Sequence, residues 1–346
     1  MAVGGGTAQL GYQSALSVAE ETTFGTYVTG TAFVEFNSES FKVTREEKKL
    51  ESINTSRSFT KRVIMNETIS GTLECDLQVG NDAIVYLIKQ GMGGTASNAT
   101  VSATEFVHTL YGGDMESNQG TSTASDVKSV SIGIRKGDDG LTNTWQLAGN
   151  RVSQFTIAGE IGEPIKFSAE LVGKTASITT SIGAITYSDV VPLIFTGVKI
   201  DTGVTISAAT TEEIFTSFEL TVNNNIDSDQ RELGSRNVTI LPPGKREVSL
   251  KLTQRFDTLT AYNRFISATK TAFEITCDSD VTTGATAGDT TYSCIINIPA
   301  GFLNSAMPEV GGNDVLTHEF DVGIIQDTTA SYDVQIDIRN ATANYW

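Results

Sequence analysis

Apolar and polar residues alternate along much of the chain. Ile69-Ser-Gly-Thr-Leu73-Glu-Cys75-Asp-Leu77 does so, as do Phe218-Glu-Leu220-Thr-Val222 and Val248-Ser-Leu250-Lys-Leu252. So do Ile165-Lys-Phe167-Ser-Ala169-Glu-Leu171 and Val334-Gln-Ile336-Asp-Ile338. A two-residue period sends successive side chains to opposite faces. Each run therefore predicts a strand with one face on a core and the other in water. Two segments break the pattern. Asn81-Asp82 opens a run with apolar residues at Ile84, Leu87 and Ile88 and a stop at Gly91, which predicts a capped helix over about 82–90. Asp257–Ile266 reads the same way and predicts a helix over about 258–268. The expected class is all-β, a mainly antiparallel sandwich or barrel, with one short helix per domain.

These features recur in order. A short strand at Phe41 or Phe218 leads into a long polar loop, 42–64 or 223–246, then a strand, then a helix. The offsets agree: 218 − 41 is 177, 248 − 69 is 179 and 265 − 87 is 178. Further on, Val130-Ser-Ile132-Gly-Ile134 precedes a predicted hairpin, Phe155–Gly159 to Ile165–Leu171. Its counterparts are taken as Cys294–Ile298 followed by a second hairpin, His318–Ile325 to Tyr332–Ile338, at an offset near 165. Self-similarity of this kind predicts an internal duplication. The expected organisation is a flexible arm, 1–12, a first β domain, 13–190, and a second, 191–346, joined through a stretch rich in Ser, Thr and Gly.

Composition narrows the function. The 346 residues carry 24 Lys+Arg against 41 Asp+Glu, a formal charge of −17. That balance argues against gripping nucleic acid, which takes clustered cations. No apolar run is long enough for a membrane helix, and the start, Met1-Ala2-Val3-Gly4-Gly5-Gly6, lacks the basic and apolar regions of a secretion signal. Cys75, Cys277 and Cys294 have no metal-ligand spacing and read as small core residues. His108 and His318, the two histidines, sit in strand-like sequence. No phosphate loop, nucleophile elbow or zinc motif is present, so neither catalysis nor a cofactor is expected. Gly91-Met-Gly93-Gly94 reads as a helix stop and loop, and Gly137-Asp138-Asp139-Gly140 as a plain turn. One local feature runs against the overall charge. Lys42–Arg62 holds seven basic and three acidic residues, so its solvated surface could dock on an acidic one.

The layout resembles the major tail tube proteins of long-tailed bacteriophages. The residues that carry the resemblance are Gln13–Thr26 (Gln-Ser-Ala-Leu-Ser-Val-Ala-Glu-Glu-Thr-Thr-Phe-Gly-Thr), Val34–Phe41, Phe218–Asn225 (Phe-Glu-Leu-Thr-Val-Asn-Asn-Asn) and Gly244–Leu250. The strand, long loop, strand, helix order fits as well. The resemblance implies a structural virion protein, made in the bacterial cytoplasm, whose copies form rings that stack into a hollow tube for genomic DNA. It implies four lining strands per domain, so a duplicated chain would close a pseudo-hexameric ring as a homotrimer. Implied partners are further copies of the chain, a tape measure protein inside the tube, and tail tip and terminator proteins. DNA would pass without specific binding, and no membrane insertion is implied.

Within that frame, alternation places Thr72, Glu74, Asp76, Glu170, Glu219, Ser249, Lys251 and Asp337 on the bore. The long loops supply expected contacts between rings: Arg45, Lys48, Lys49, Arg57, Lys61 and Arg62 from the first, Arg231 and Arg236 from the second. Two rival classes remain at this stage. One is a secreted or surface β-sandwich adhesin that binds carbohydrate. The other is a polysaccharide-cleaving enzyme with an unrecognised carboxylate pair.

Overall fold

The structure, a computed structural model, describes residues 10–53, 55–112, 128–137, 144–179, 182–209, 211–212, 214–284, 290–305, 307–308, 315–343 and 345. Most of the expected arm, and the turn at 138–140, lie outside them. The chain is all-β with antiparallel pairing and two α-helices among the described residues. The elements of its first part are β1 (Ala15–Glu20), β2 (Ala32–Val34), β3 (Ser38–Glu39), β4 (Lys42–Lys49), β5 (Arg62–Asp76), α1 (Asp82–Met92), β6 (Gly93–Thr100), β7 (Phe106–Gly112), β8 (Val130–Arg135), β9 (Thr144–Glu160), β10 (Lys166–Gly173) and β11 (Thr175–Thr179). Those of its second part are β12 (Val198–Gly203), β13 (Thr211–Glu212), β14 (Phe215–Asn223), β15 (Glu247–Arg255), α2 (Thr260–Ile266), β16 (Thr271–Thr282), β17 (Thr291–Leu303), β18 (Thr317–Ile324) and β19 (Gln335–Asn340).

One long sheet runs through both parts in the order β4–β5–β10–β9–β14–β15–β18. The end of β17 joins it beside β18. Each part adds a flanking sheet. The first has the order β2–β1–β8–β9–β11. The second has β13–β12–β16–β17–β19, extended by β7 and β6. Both β9 and β17 serve two sheets, pairing first in a flanking sheet and then in the long one. The pairing order of the first part therefore recurs in the second: β1 with β12, β8 with β16, β9 with β17, β10 with β18 and β11 with β19.

That order corrects three expectations. β18 and β19 do not form a hairpin, because β18 pairs with β15 and β19 with β17 and β7. The equivalents of β8 and β9 are thus β16 and β17, one strand earlier than an offset near 165 implies. Residues 42–64 are not all loop: 42–49 form β4, which pairs with the start of β5 from Arg62 on, and 50–61 connect the two. The Ser/Thr/Gly-rich join holds a strand too, β11 on β9.

Helix α1 fills the core between the sheets. Asn81 caps it by accepting from the Ala83 N–H (3.0 Å), and Gly93, at φ +66°, ends it in the left-handed region. The stop is thus two residues past Gly91. Gly91 lies in the last turn, where a Cβ would fall 2.5 Å from the Phe155 ring. Its role is close approach to β9, not termination. Helix α2 is shorter than expected, and Ala261 is its one buried residue.

Buried polar clasps hold the chain's opening segment. The Glu21 carboxylate accepts from Gly25 N (2.8 Å), Ser129 Oγ (2.7 Å), Ser131 Oγ (2.7 Å) and Gly149 N (2.7 Å). Further contacts stitch the two parts together beyond the β9–β14 pairing, among them the following. β7 pairs with β19. The buried Lys89 ammonium on α1 donates to Glu20 Oε1 (2.6 Å) and to the Tyr345 carbonyl (2.6 Å). Arg246 forks onto Asp333 (3.0 and 2.9 Å) and reaches the Met92 carbonyl at the end of α1 (3.1 Å).

His108 is fully buried under the Tyr345 ring, with Nε2 donating to Thr342 O (2.9 Å) and Asn340 Oδ1 (3.0 Å). Burial disfavours its charged form and lowers its pKa, outweighing these bonds. On acidification the unfolded chain takes the proton first, so stability should fall as pH drops below about 6.5. Thermal midpoints from neutral pH down should fall more steeply for the native chain than for His108→Gln. Parallel profiles would remove His108 as a cause.

Candidate functional site: a polar sheet face and a charged hairpin

The long sheet has one buried and one wet face. The register lines up Cys75, Phe167, Ile157, Leu220, Leu250 and Val322 in a single row across six strands, and all are buried. One residue along, on the other face, the row reads Asp76, Lys166, Ala158, Glu219, Lys251, Asp321. A second wet row reads Glu74, Ser168, Thr156, Thr221, Ser249, Gly323. A third reads Thr72, Glu170, Gln154, Asn223, Glu247. Glu160, Ser217, Thr253 and Glu319 make a fourth.

Seven of the eight residues placed on the bore by sequence thus share this face: Thr72, Glu74, Asp76, Glu170, Glu219, Ser249 and Lys251. Asp337 does not. It sits on β19 in the second flanking sheet, where its carboxylate accepts from Asn297 Nδ2 (3.2 Å) and Gln335 Nε2 (2.7 Å). Alternation gives the same signal in any sheet, so it could not separate β19 from β5. Four carboxylates on the face were not singled out: Glu160, Glu247, Glu319 and Asp321. The alternation Thr317-His-Glu319-Phe-Asp321-Val carries the signal for the last two.

The face is acidic but loosely bonded. Across β5, β9, β10, β14, β15 and β18 it carries eight carboxylates against Lys166 and Lys251, with Arg62 and Arg255 at the strand ends. Lys251 stands 3.9 Å from Glu219, both about half exposed, so that pair adds little stability. Thr156 and Thr221 hydroxyls meet at 3.2 Å across the β9–β14 junction. Carboxylates spread over a wet sheet, with few fixed partners, present a field that repels phosphate.

The hairpin arm is different. All of β4 and the first five residues of β5 are exposed. A strand pair wet on both faces has no core of its own. Ion pairs run along it, Arg45 to Glu67 (2.6 Å) and Arg62 to Glu47 (2.9 Å), while Lys49 lies 6.0 Å from the Phe59 ring centroid. Lys48, Arg57 and Lys61 are exposed, and so are the apolar Ile53, Phe59, Ile64 and Met65.

The second loop folds against the base of this arm. Arg231 donates to Glu67 O (3.3 Å) and Thr68 Oγ1 (3.1 Å) and pairs with Asp229 (2.8 Å). The Glu67 N–H in turn donates to Arg236 O (3.0 Å). The Arg231 guanidinium is therefore spent inside the chain and nearly buried, which takes it out of the expected contact set. The Arg236 side chain remains exposed.

The motifs behind the resemblance have physical work. Asn224 Nδ2 donates to Gly91 O (2.8 Å) and Val152 O (3.1 Å), closing the end of α1 onto β9. Asn223 Oδ1 accepts from the Asn225 N–H (2.8 Å), and Asn225 takes a positive φ of 46°. This is the Asx geometry that lets the chain leave β14 sharply.

The three thiols are buried and free, and burial pushes Cys75 and Cys294 up to about 12. Among the described residues no group of three or more His, Cys, Asp or Glu could hold a metal ion. No described helix is long and apolar enough to cross a membrane.

Comparison with curated protein sequences finds no match. The family model described as phage tail tube protein matches residues 11–334, nearly the whole chain. The chain belongs to the phage tail tube protein family and is a structural component of the virion.

Proposed function

We propose that three copies of this chain close a ring, that rings stack into the tail tube, and that the acidic face of the long sheet lines the bore through which genomic DNA passes. The observation that carries this is the single antiparallel sheet continuing from one part of the chain into the other. Each part gives it four strands, β4, β5, β10 and β9 or β14, β15, β18 and the end of β17. We read the parts, 13–190 and 191–346, as two tube domains in tandem. Three chains then supply 24 strands. At about 4.8 Å between strands and a tilt near 45°, the barrel is about 160 Å round and about 50 Å across. Duplex DNA fits inside once side chains are added. A tape measure protein would fill the bore before ejection, and tail tip and terminator proteins would meet the ends. A ring also consumes exposed sheet edges, which otherwise invite aggregation.

Negative-stain microscopy of the purified protein tests this. Hollow stacked rings of three chains are expected; stable monomers at high concentration would overturn it.

In the same reading the hairpin arm docks on the neighbouring ring through Arg45, Lys48, Lys49, Arg57, Lys61, Arg62 and Arg236. Lys48→Glu with Lys49→Glu should shorten tubes while leaving single rings intact. Native tubes should also weaken with salt, since charges are screened beyond about 10 Å at 0.1 M and about 3 Å at 1 M. Equal tube lengths across that range would sink the electrostatic part of the idea.

A further inference from the structure

Cys277 on β16 and Cys294 on β17 stand directly opposite each other. They belong to one row of the second flanking sheet, which reads Val198, Cys277, Cys294, Ile338, His108 across β12, β16, β17, β19 and β7. Opposed residues of an antiparallel pair point to the same face, here the core face, and both thiols are fully buried. The next row on that face is Ile200, Ile275, Ile296, Ile336 and Leu110. The two thiols are thus set side by side in an aliphatic layer. The third cysteine, Cys75, is on β5 in the long sheet, opposite Phe167.

This placement suits a covalent bond. Opposed Cα atoms on antiparallel strands lie about 4.5 or 5.5 Å apart, and a disulfide accepts about 4.4–6.8 Å. Opposed Cβ atoms, at about 4.5–5.5 Å, need only a small approach to reach the roughly 3.5–4.5 Å of a disulfide. The thiols also sense each other: burial raises the Cys277 pKa most, and the nearby Cys294 raises it further. One residue beyond the pair, Asp278 is opposite Ser293, and from there the ladder is irregular as far as Thr282 opposite Thr291. That end of the hairpin can part locally while the isoleucine row on the other side stays closed.

We propose that Cys277 and Cys294 are free thiols in the newly made protein and become a disulfide once the virion has left the cell. A chain made in a reducing bacterial cytoplasm keeps its thiols. Outside, dissolved dioxygen is the oxidant. Two S–H bonds break and one S–S bond forms, and the two protons and two electrons convert one dioxygen to hydrogen peroxide. Reaction goes through a thiolate, and burial pushes Cys294 up to about 12. The bond is therefore slow to form, an ageing step of the finished particle and not part of assembly. It ties β16 to β17 in the middle of the sheet that β7 of the first part extends. The inference uses the virion assignment alone and does not depend on how copies close a ring.

Thiol counting tests it. The native chain is purified under reductant without air, and one portion is then held in air at neutral pH for several weeks. Both portions are denatured in excess alkylating agent and mapped by mass spectrometry. The fresh portion should give three alkylated cysteines. The aged portion should give Cys75 alone, with the Cys277 and Cys294 peptides joined. Closing this loop should also raise the thermal midpoint by about 6 °C, a rise that Cys277→Ser should not show. Three alkylated cysteines after ageing would overturn the proposal, and so would a bond that takes in Cys75. Should Cys277→Ser not fold, the count on the native chain decides by itself.

Discussion

Tubes built from a Glu74→Lys/Glu170→Lys/Glu219→Lys chain are expected to hold duplex DNA that native tubes release. The three residues stand on separate strands of the acidic face, β5, β10 and β14, and Glu74 and Glu219 come from different parts of the chain. Glu170 and Glu219 are exposed, and the one ion pair lost, Glu219 with Lys251 at 3.9 Å, is half in water and adds little stability. Reversal takes the chain from −17 to −11 and, on the proposed reading, places cations where phosphate would pass. Each phosphate neutralised contributes a slope of about −0.9 to the salt dependence of binding. If one chain's three lysines each reach a phosphate, affinity should fall about 40-fold between about 50 and 200 mM salt. Native tubes should show no measurable affinity over that range. The measurement is DNA retention on assembled tubes. Virions carrying the variant should also eject slowly. Salt-independent retention, or none, would mean this face does not meet DNA.

Glu21→Ala should cost about 4 kcal/mol of stability, far more than any exposed carboxylate. The buried carboxylate satisfies two backbone N–H groups and two serine hydroxyls that come from three separate stretches of chain: the turn after β1, the start of β8 and β9. Unsatisfied buried donors cost about 1–3 kcal/mol each, and admitted water recovers part of that. At about 2 °C per kcal/mol for a chain of this length, the thermal midpoint should drop by about 8 °C. Glu170→Ala, on the wet face, should stay within about 0.5 kcal/mol of the native chain. If the two variants melt alike, the clasp does not hold the fold. The segment Val18-Ala-Glu20-Glu21-Thr-Thr-Phe24-Gly25 thus owes its character to a buried acceptor and a sharp turn, with Gly25 at φ +79°.

What was legible in the sequence follows from what is local. Period-two alternation assigns a face within one strand, so Thr72, Glu74, Asp76, Glu219, Ser249 and Lys251 were placeable without knowing the fold. Asn81 and the run to Met92 mark α1 for the same reason, because caps and spacing act within a few residues. Sheet membership is not local. Asp337 alternates as Glu74 does, yet its strand pairs with β7 and β17. The arm was unreadable as a strand because Lys42-Val-Thr-Arg-Glu-Glu-Lys-Lys49 has no apolar alternation; only pairing with β5 makes it one. The step error in matching the two parts has the same origin. The segment Phe273-Glu-Ile275-Thr-Cys277-Asp alternates as clearly as its neighbours. Only the pairing order shows that it, and not Cys294–Ile298, answers to β8.

The Lys89–Tyr345 contact sets a clock on synthesis. The two residues are 256 positions apart, and β7 likewise waits for β19. At about 5–20 residues per second on the ribosome, Lys89 emerges roughly 10–50 s before the carbonyl that completes its site. Through that interval a nascent chain carries an unfinished helix pocket and an open strand at β7. Its first part cannot settle into final form ahead of its second. On the ring reading proposed above, a growing polypeptide would thereby be kept from joining a ring before its own sheet is whole, and the supply of competent subunits would be gated by completed translation.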